Sequence, residues 1–351
     1  MCGGQHWTKM KYSSPTRLAL DPCELKFHKR IARGAFGSVY LATDPNGYKY
    51  AVKRSRKLEL INLGLCKDAA NIMQYMGTFY TRNRNGILMQ NSLFEHVPYN
   101  LRSFIRHMRG NMESHCERIN AITPDNPSHA AAQVTGTKDY LILRVLCDVV
   151  NGILELHGRD LVHRDLKPDN ILIDDDKSPT IAKICDLGSA KRITRLSMTA
   201  RSDSDMTVEP STPYVCSRWY RAPELLFGRT YYSVRYALHI NLIVGIGRQL
   251  VSDAHQVLHM IEILGTPSRS ELRRILENAP CSSIARQLEI LFQSIYSKGT
   301  LRTILTDVAK GNSSMMTIAN VAYNLLRWCP EDRISMEDAY KMLTAGLTRC
   351  V

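Results

Sequence analysis

His163-Arg164-Asp165-Leu166-Lys167-Pro168-Asp169-Asn170 is the stretch on which the reading of this 351-residue chain turns. It joins Tyr140 to His157, where Leu141, Val145, Val149, Ile153 and Leu156 recur at helical spacing, to the apolar strand-like run Ile171-Leu172-Ile173. Asp165 is placed to accept a proton from a hydroxyl. Lys167 is a cation able to neutralise developing negative charge. Asn170 offers an amide oxygen to a hard metal ion. A polar surface loop is the plain alternative for any one of these residues, and the complete string argues against it. Ile184-Cys185-Asp186-Leu187-Gly188 follows a hairpin and adds a second carboxylate, and Ala222-Pro223-Glu224 comes later.

Upstream, the pattern is of short strands. Phe27 to Ala32 and Ser38 to Ala42 flank a glycine turn, Asp44-Pro45-Asn46-Gly47 is a hairpin turn, and Tyr48 to Lys53 returns as a strand. Leu58 to Leu65 reads as a short helix and Gly86 to Phe94 as another strand. Within Ala32-Arg33-Gly34-Ala35-Phe36-Gly37-Ser38-Val39, the glycines let backbone N–H groups approach phosphate. A simple hairpin is the plain reading of that loop, and an exposed charge that of Lys53. Downstream, Leu101 to Met108 is helical by spacing, and residues 109–138 show little apolar periodicity and read as a surface insertion. Glu271 to Leu276 and Ala319 to Trp328 read as helices. The expected architecture is α+β and bilobal: a basic flexible tail at 1–25, a small antiparallel-sheet lobe at 26–97, and a larger, mainly helical lobe at 98–345. The cleft between the lobes is the expected ligand site.

Composition sets wider limits. With 44% hydrophobic and 23% charged residues the chain is globular, which excludes wholesale disorder and rods. Lysine and arginine exceed aspartate and glutamate, 46 to 33, so the net charge of +13 favours anionic partners without choosing among them. Ten cysteines form no C-x-x-C pair, which argues against a zinc ribbon, and the expected thiols are reduced. No apolar run approaches the roughly 20 residues of a membrane span. Cys2 argues against N-myristoylation and Cys350-Val351 against prenylation. The expectation is a soluble protein of the cytoplasm, with the nucleus also open to it.

The ordered motifs resemble those of the eukaryotic protein kinases across roughly residues 26 to 340. The resemblance implies ATP and Mg²⁺ as cofactors. Lys53 would hold phosphates, Asp165 would orient the substrate hydroxyl, and Asn170 and Asp186 would bind the metal. Ala32, Gly34 and Gly37 would form the phosphate loop, with Ala32 standing where the family has its first glycine. Glu95 and Val97 would lie in the adenine hinge, and Val39, Ala51 and Leu172 would sandwich the ring; ordinary lobe core is a compatible reading of those three. Lys167-Pro168 is the serine/threonine form of the loop. Cys185 to Lys191, Tyr214 to Gly228 and Ile263-Leu264-Gly265-Thr266-Pro267 look like the glycogen synthase kinase 3 (shaggy) branch of the CMGC group. That branch implies that phosphorylated Tyr214 would pair with Arg218 and Arg221. It further implies that Arg164 and Lys191 would hold a priming phosphate on substrate, and that Arg333 would pair with Glu224.

Two segments depart from the family pattern. Glu59 is the best partner for Lys53, yet stands only six positions after it, and Leu58 replaces the third cation of the priming pocket. Residues 231–245 lack the Asp-x-Trp-x-x-Gly pattern. The expected function is serine/threonine phosphorylation of protein substrates, pre-phosphorylated ones among them, with scaffold proteins as further partners. The rival is a pseudokinase acting as a scaffold. A basic nucleic-acid-binding protein is a weaker rival, because zinc, RNA-binding and helix-turn-helix signatures are missing.

Overall fold

The computed structural model describes residues 21–34, 37–55, 60–83, 85–109, 127–177, 179–192, 220–227, 253–276, 290, 292 and 294–349. Tyr214, Arg218, Glu59, Leu58 and the segment 231–245 lie outside them.

Five antiparallel strands form the first sheet: β1 (Lys26–Gly34), β2 (Gly37–Thr43), β3 (Lys49–Ser55), β4 (Tyr75–Arg82) and β5 (Leu88–Glu95), in the order β1-β2-β3-β5-β4. Asp44 makes the β2–β3 turn: its carboxylate accepts from Tyr48 N at 2.9 Å and its carbonyl from Gly47 N at 3.1 Å. Strand β3 is interior, between β2 and β5, so Lys53 is not the exposed edge charge that its local sequence suggests. Strand β4, absent from the sequence reading, alternates weakly, because Gly77, Thr78 and Phe79 are all buried. The expected tail ends earlier than residue 25. Pro22–Glu24 form a 3₁₀ turn capped by Asp21, and Leu25 packs with Ala42, Val52, Phe79 and Leu93.

The helix expected at 58–65 is described over Leu60–Leu65. Helix 101–109 follows β6 (Tyr99–Asn100). The long helix expected from Tyr140 begins instead at Pro127 and runs to His157, so part of the expected insertion is helical. Proline suits a first helical turn, and Ala130-Ala131-Ala132 favours helix without producing an apolar stripe. From Leu141 to Leu156 its apolar face packs on Ile72, Ile171, Ile173, Ala182, Ile184, Val321 and Leu343, which is the main core.

The catalytic-type loop lies between β7 (Leu161–Val162) and β8 (Ile171–Asp174). Strand β8 pairs with β6 on one side and β9 (Ile181–Ile184) on the other, and β10 (Lys191–Arg192) pairs with β7. A short helix, Pro223–Leu226, is buried. Further helices among the described residues are Asp253–Leu264, Arg269–Leu276, Leu301–Ala309, Ser313–Leu325 and Met336–Leu347. Ser313–Leu325 starts earlier than the expected 319 because Asn312 caps it, accepting from Ser314 N and Met315 N. It stops before Trp328, whose indole N–H donates to Gly265 O at 2.9 Å.

One loop sews the first sheet to the helical part. Asn71 Nδ2 donates to Ala182 O at 2.9 Å, and Ile184 N donates to Asn71 O at 2.8 Å. Glu155 accepts from Ala70 N and Asn71 N at 2.9 and 3.1 Å. Gly152 permits the approach, since a Cβ there would lie 2.7 Å from Asn71 O. Among the described residues no helix is long and apolar enough to cross a membrane.

Candidate active site

Strand pairing brings the site together from three directions. Strand β3 carries Ala51 and Lys53; Val39 of β2 faces Lys53 in register, and Ala51 faces Phe94 of β5. The β7–β8 loop carries Asp165, Lys167 and Asn170. Strand β9 leads through Cys185 to Asp186.

Lys53 Nζ is 2.8 Å from Asp186 Oδ1. Asp186 adopts a left-handed backbone, φ 62°, as does Arg164 at φ 65°, so both side chains are aimed by strained conformations. Burial alone would raise the Asp186 carboxyl. The Lys53 charge and hydrogen bond, helped by His163 and the Gly188 N–H, outweigh it and hold the group below the ordinary aspartate value. The carboxylate is therefore ionised at neutral pH.

Lys167 Nζ donates to Asp165 Oδ2 at 2.7 Å, and Asn170 Nδ2 donates to Asp165 O at 2.8 Å. That use of Nδ2 leaves Asn170 Oδ1 as an acceptor. His163 is the hidden brace. Asp165 N donates to His163 Nδ1 at 3.2 Å, so the ring proton sits on Nε2, which donates to Cys185 O at 2.9 Å. Burial pushes the His163 pKa down, keeping the ring neutral and this tautomer in place. The imidazole thus couples the loop of Asp165 to the strand of Asp186.

Gly34 pairs with Gly37 at the turn between β1 and β2, and Ala32 pairs with Val39. Gly37 has φ 150°, and a Cβ there would lie 2.2 Å from Arg54 O, so only glycine closes this hairpin. Val97 is buried and Leu172 half-buried. The Glu95 carboxylate is engaged by Lys183 Nζ at 2.6 and 2.8 Å and by Gln74 N at 2.8 Å, so only its backbone faces a nucleotide role. Sequence reasoning missed Lys183 and the bracing role of His163; their spacing to their partners carries no local signal.

Arg164 Nε donates to Ser189 O at 2.6 Å. Lys191 pairs across the ladder with Val162, two residues before Arg164, so one priming candidate stands on the two-stranded β7–β10 element and the other just past its end. Arg221 is buried, and its carbonyl accepts from Gln256. Arg333 donates to both Glu224 oxygens at 2.8 and 2.7 Å, with both side chains fully buried, as the sequence led one to expect.

The chain compares with known proteins as this geometry suggests. A protein kinase domain profile matches residues 25–343. Protein kinase MCK1 of Saccharomyces cerevisiae is 30% identical over 268 residues, 70% of this chain and 60% of that protein. The serine/threonine-protein kinase RIM11/MSD1 of the same yeast is 26% identical over 319 residues, 84% of this chain and 75% of that protein. The resemblance to glycogen synthase kinase 3-like CMGC kinases holds against both relatives. With a protein kinase domain matching residues 25–343, nearly its whole length, the chain belongs to the protein kinase family.

Proposed function

We propose that this protein is a serine/threonine protein kinase that uses ATP and Mg²⁺. The observation that carries the reading is the linked set Lys53–Asp186, His163–Cys185 and Lys167–Asp165–Asn170, which joins the lysines, aspartates and asparagine expected of the reaction by direct hydrogen bonds. A pseudokinase has no need to keep all of them.

The donor set fits a hard cation shared with nucleotide phosphates. Asn170 Oδ1 and the Asp186 carboxylate are oxygen ligands, and among the described residues no cluster of three or more His, Cys, Asp or Glu forms an all-protein cage. The metal, when bound, supplies neutralisation of phosphate charge. Lys53 would hold phosphate oxygens, with Gly34, Gly37 and Ala32 offering backbone N–H groups. The backbones of Glu95 and Val97 would orient adenine between Val39, Ala51 and Leu172. Asp165 would accept the hydroxyl proton of the substrate, with Lys167 balancing its charge. Catalysis on this reading is positioning plus electrostatics.

Preference for pre-phosphorylated substrates is expected to be weaker than in the shaggy branch, because Leu58 offers no donor where that branch has its third cation. A peptide pair with and without phosphoserine four residues C-terminal to the target tests this. A kcat/KM ratio near one that Leu58→Arg raises supports it, and a strong preference untouched by Lys57→Ala overturns it.

The main reading is tested by phosphate transfer from Mg-ATP to a generic protein substrate, wild type against Asp186→Asn. Transfer by wild type alone supports it. Transfer by neither, or by both equally, overturns it.

A further inference from the structure

Arg102 makes a contact that neither the motifs nor the reaction chemistry calls for. Its guanidinium donates to Asp169 from Nε, at 3.0 Å to Oδ1 and 3.3 Å to Oδ2, and from Nη2 at 3.0 Å to Oδ2. The same Nη2 donates to Tyr220 Oη at 3.1 Å. One side chain therefore joins the catalytic loop, four residues past Asp165, to the chain two residues ahead of Ala222-Pro223-Glu224.

The base of Arg102 is rigid. Asn100 and Ser103 cap helix 101–109 reciprocally: Ser103 N donates to Asn100 Oδ1 at 2.8 Å, and Asn100 N donates to Ser103 Oγ at 3.1 Å. Asn100 also faces Leu172 in the β6–β8 ladder, and β8 begins immediately after Asn170. Tyr99 stacks on His107 with ring centroids 5.0 Å apart. Arg102 and Asp169 thus rise from one hydrogen-bonded frame, and Tyr220 joins it through the Arg102 guanidinium. The chain of Tyr220 is anchored on the far side by Glu224, held by Arg333.

We infer that Arg102 is a positioning residue that holds the Tyr220 segment against the catalytic loop and so sets how a protein substrate seats beside Asp165. The inference rests on the kinase reading. Asp169 orients the guanidinium bidentately, which lysine cannot reproduce. The hydrogen bond and charge of Asp169 also raise the Arg102 pKa, so the guanidinium stays charged. Arg102 and Asp169 are 51% and 40% exposed. An ion pair so open adds little to global stability, which separates a positioning role from a structural one.

The experiment compares wild type, Arg102→Ala, Arg102→Lys, Tyr220→Phe and the Arg102→Ala/Tyr220→Phe double variant with a protein or peptide substrate. The expected result is a rise of about five- to tenfold in peptide KM for Arg102→Ala, with KM for ATP unchanged. Arg102→Lys should recover it only in part, and Tyr220→Phe should add little once Arg102 is gone. Hydrogen exchange of a peptide covering 220–226 reads the same clamp without catalysis and should quicken in Arg102→Ala, with the melting temperature unchanged. Equal peptide KM in wild type and Arg102→Ala, or additive effects of the two substitutions, overturns the inference while leaving the kinase reading intact. If no variant transfers phosphate, the kinase reading fails, and unaltered exchange at 220–226 would then overturn the clamp by itself.

Discussion

Lys53 Nζ and Asp186 Oδ1 stand 2.8 Å apart across 133 positions of sequence, and the contact joins an interior strand of the five-stranded sheet to the turn after β9. Both side chains are largely shielded, at 16% and 33% exposed. In the folded chain Asp186 titrates below its ordinary value of 3.8. A depressed carboxylate contributes stability above its unfolded pKa, and that contribution disappears as pH falls through the folded value. The urea midpoint of wild type should therefore exceed that of Lys53→Met by a steady margin near neutrality. The margin should shrink once pH drops below about 3.8. A margin independent of pH would contradict the pairing.

Nucleotide binding should depend on the metal. Mg-ATP at about a hundred times its dissociation constant should stabilise the protein by about 2.7 kcal/mol, read as a melting shift. EDTA should remove most of the shift. Asp186→Asn should lower the response to magnesium more than the response to ATP alone. A shift indifferent to EDTA would count against Asn170 and Asp186 as metal ligands.

The two loop glycines should behave differently. Gly37→Ala forces a Cβ against Arg54 O in a backbone conformation closed to side chains, and should cost at least about 1–3 kcal/mol of stability. Gly34 has open space where a Cβ would point, so Gly34→Ala should change stability by less than about 0.5 kcal/mol. Equal melting temperatures for the two variants would refute the steric argument.

Breaking the buried pair from one side should be expensive. Arg333→Met leaves Glu224 without its bidentate partner in a site closed to water, a change that typically costs about 3–5 kcal/mol. Replacing both residues by apolar ones should recover part of that loss. Chemical denaturation of the single and double variants measures it, and a double variant worse than the sum of the singles would count against the account.

Cys185 should resist alkylation although it adjoins Asp186. Burial, with the Asp186 charge beside it, pushes its thiol up to about 12, so the thiolate is scarce at neutral pH. Peptide mapping after brief iodoacetamide treatment at pH 7.5 should find Cys23, which is exposed, modified well before Cys185. Faster labelling of Cys185 would show that its burial is relieved in solution.

Much of the fold is legible in short-range pattern. Helical spacing marks Tyr140 to His157, the Asp44 to Gly47 turn marks a hairpin, and the string from His163 to Asn170 marks the loop, because each is written in neighbours a few residues apart. Local pattern also misleads where it is faint. Ala130 to Ala132 favours helix without an apolar stripe, and Tyr75–Arg82 pairs with β5 without clean alternation, so the first reads as insertion and the second escapes notice.

The residue types of the site are thus determined by sequence alone, and their working relationships are decided by the tertiary structure. Nothing near Lys53 announces Asp186, nor Glu95 Lys183, nor Arg102 Tyr220. His163 shows the reason most plainly: its role depends on a backbone carbonyl 22 positions away, a group that every residue carries and that only packing can deliver. Sequence selects which chemistry a side chain offers and which turn or strand bears it. Distance, burial and protonation arise only when strands β3, β8 and β9 are brought together, because these depend on neighbours in space rather than neighbours in the chain.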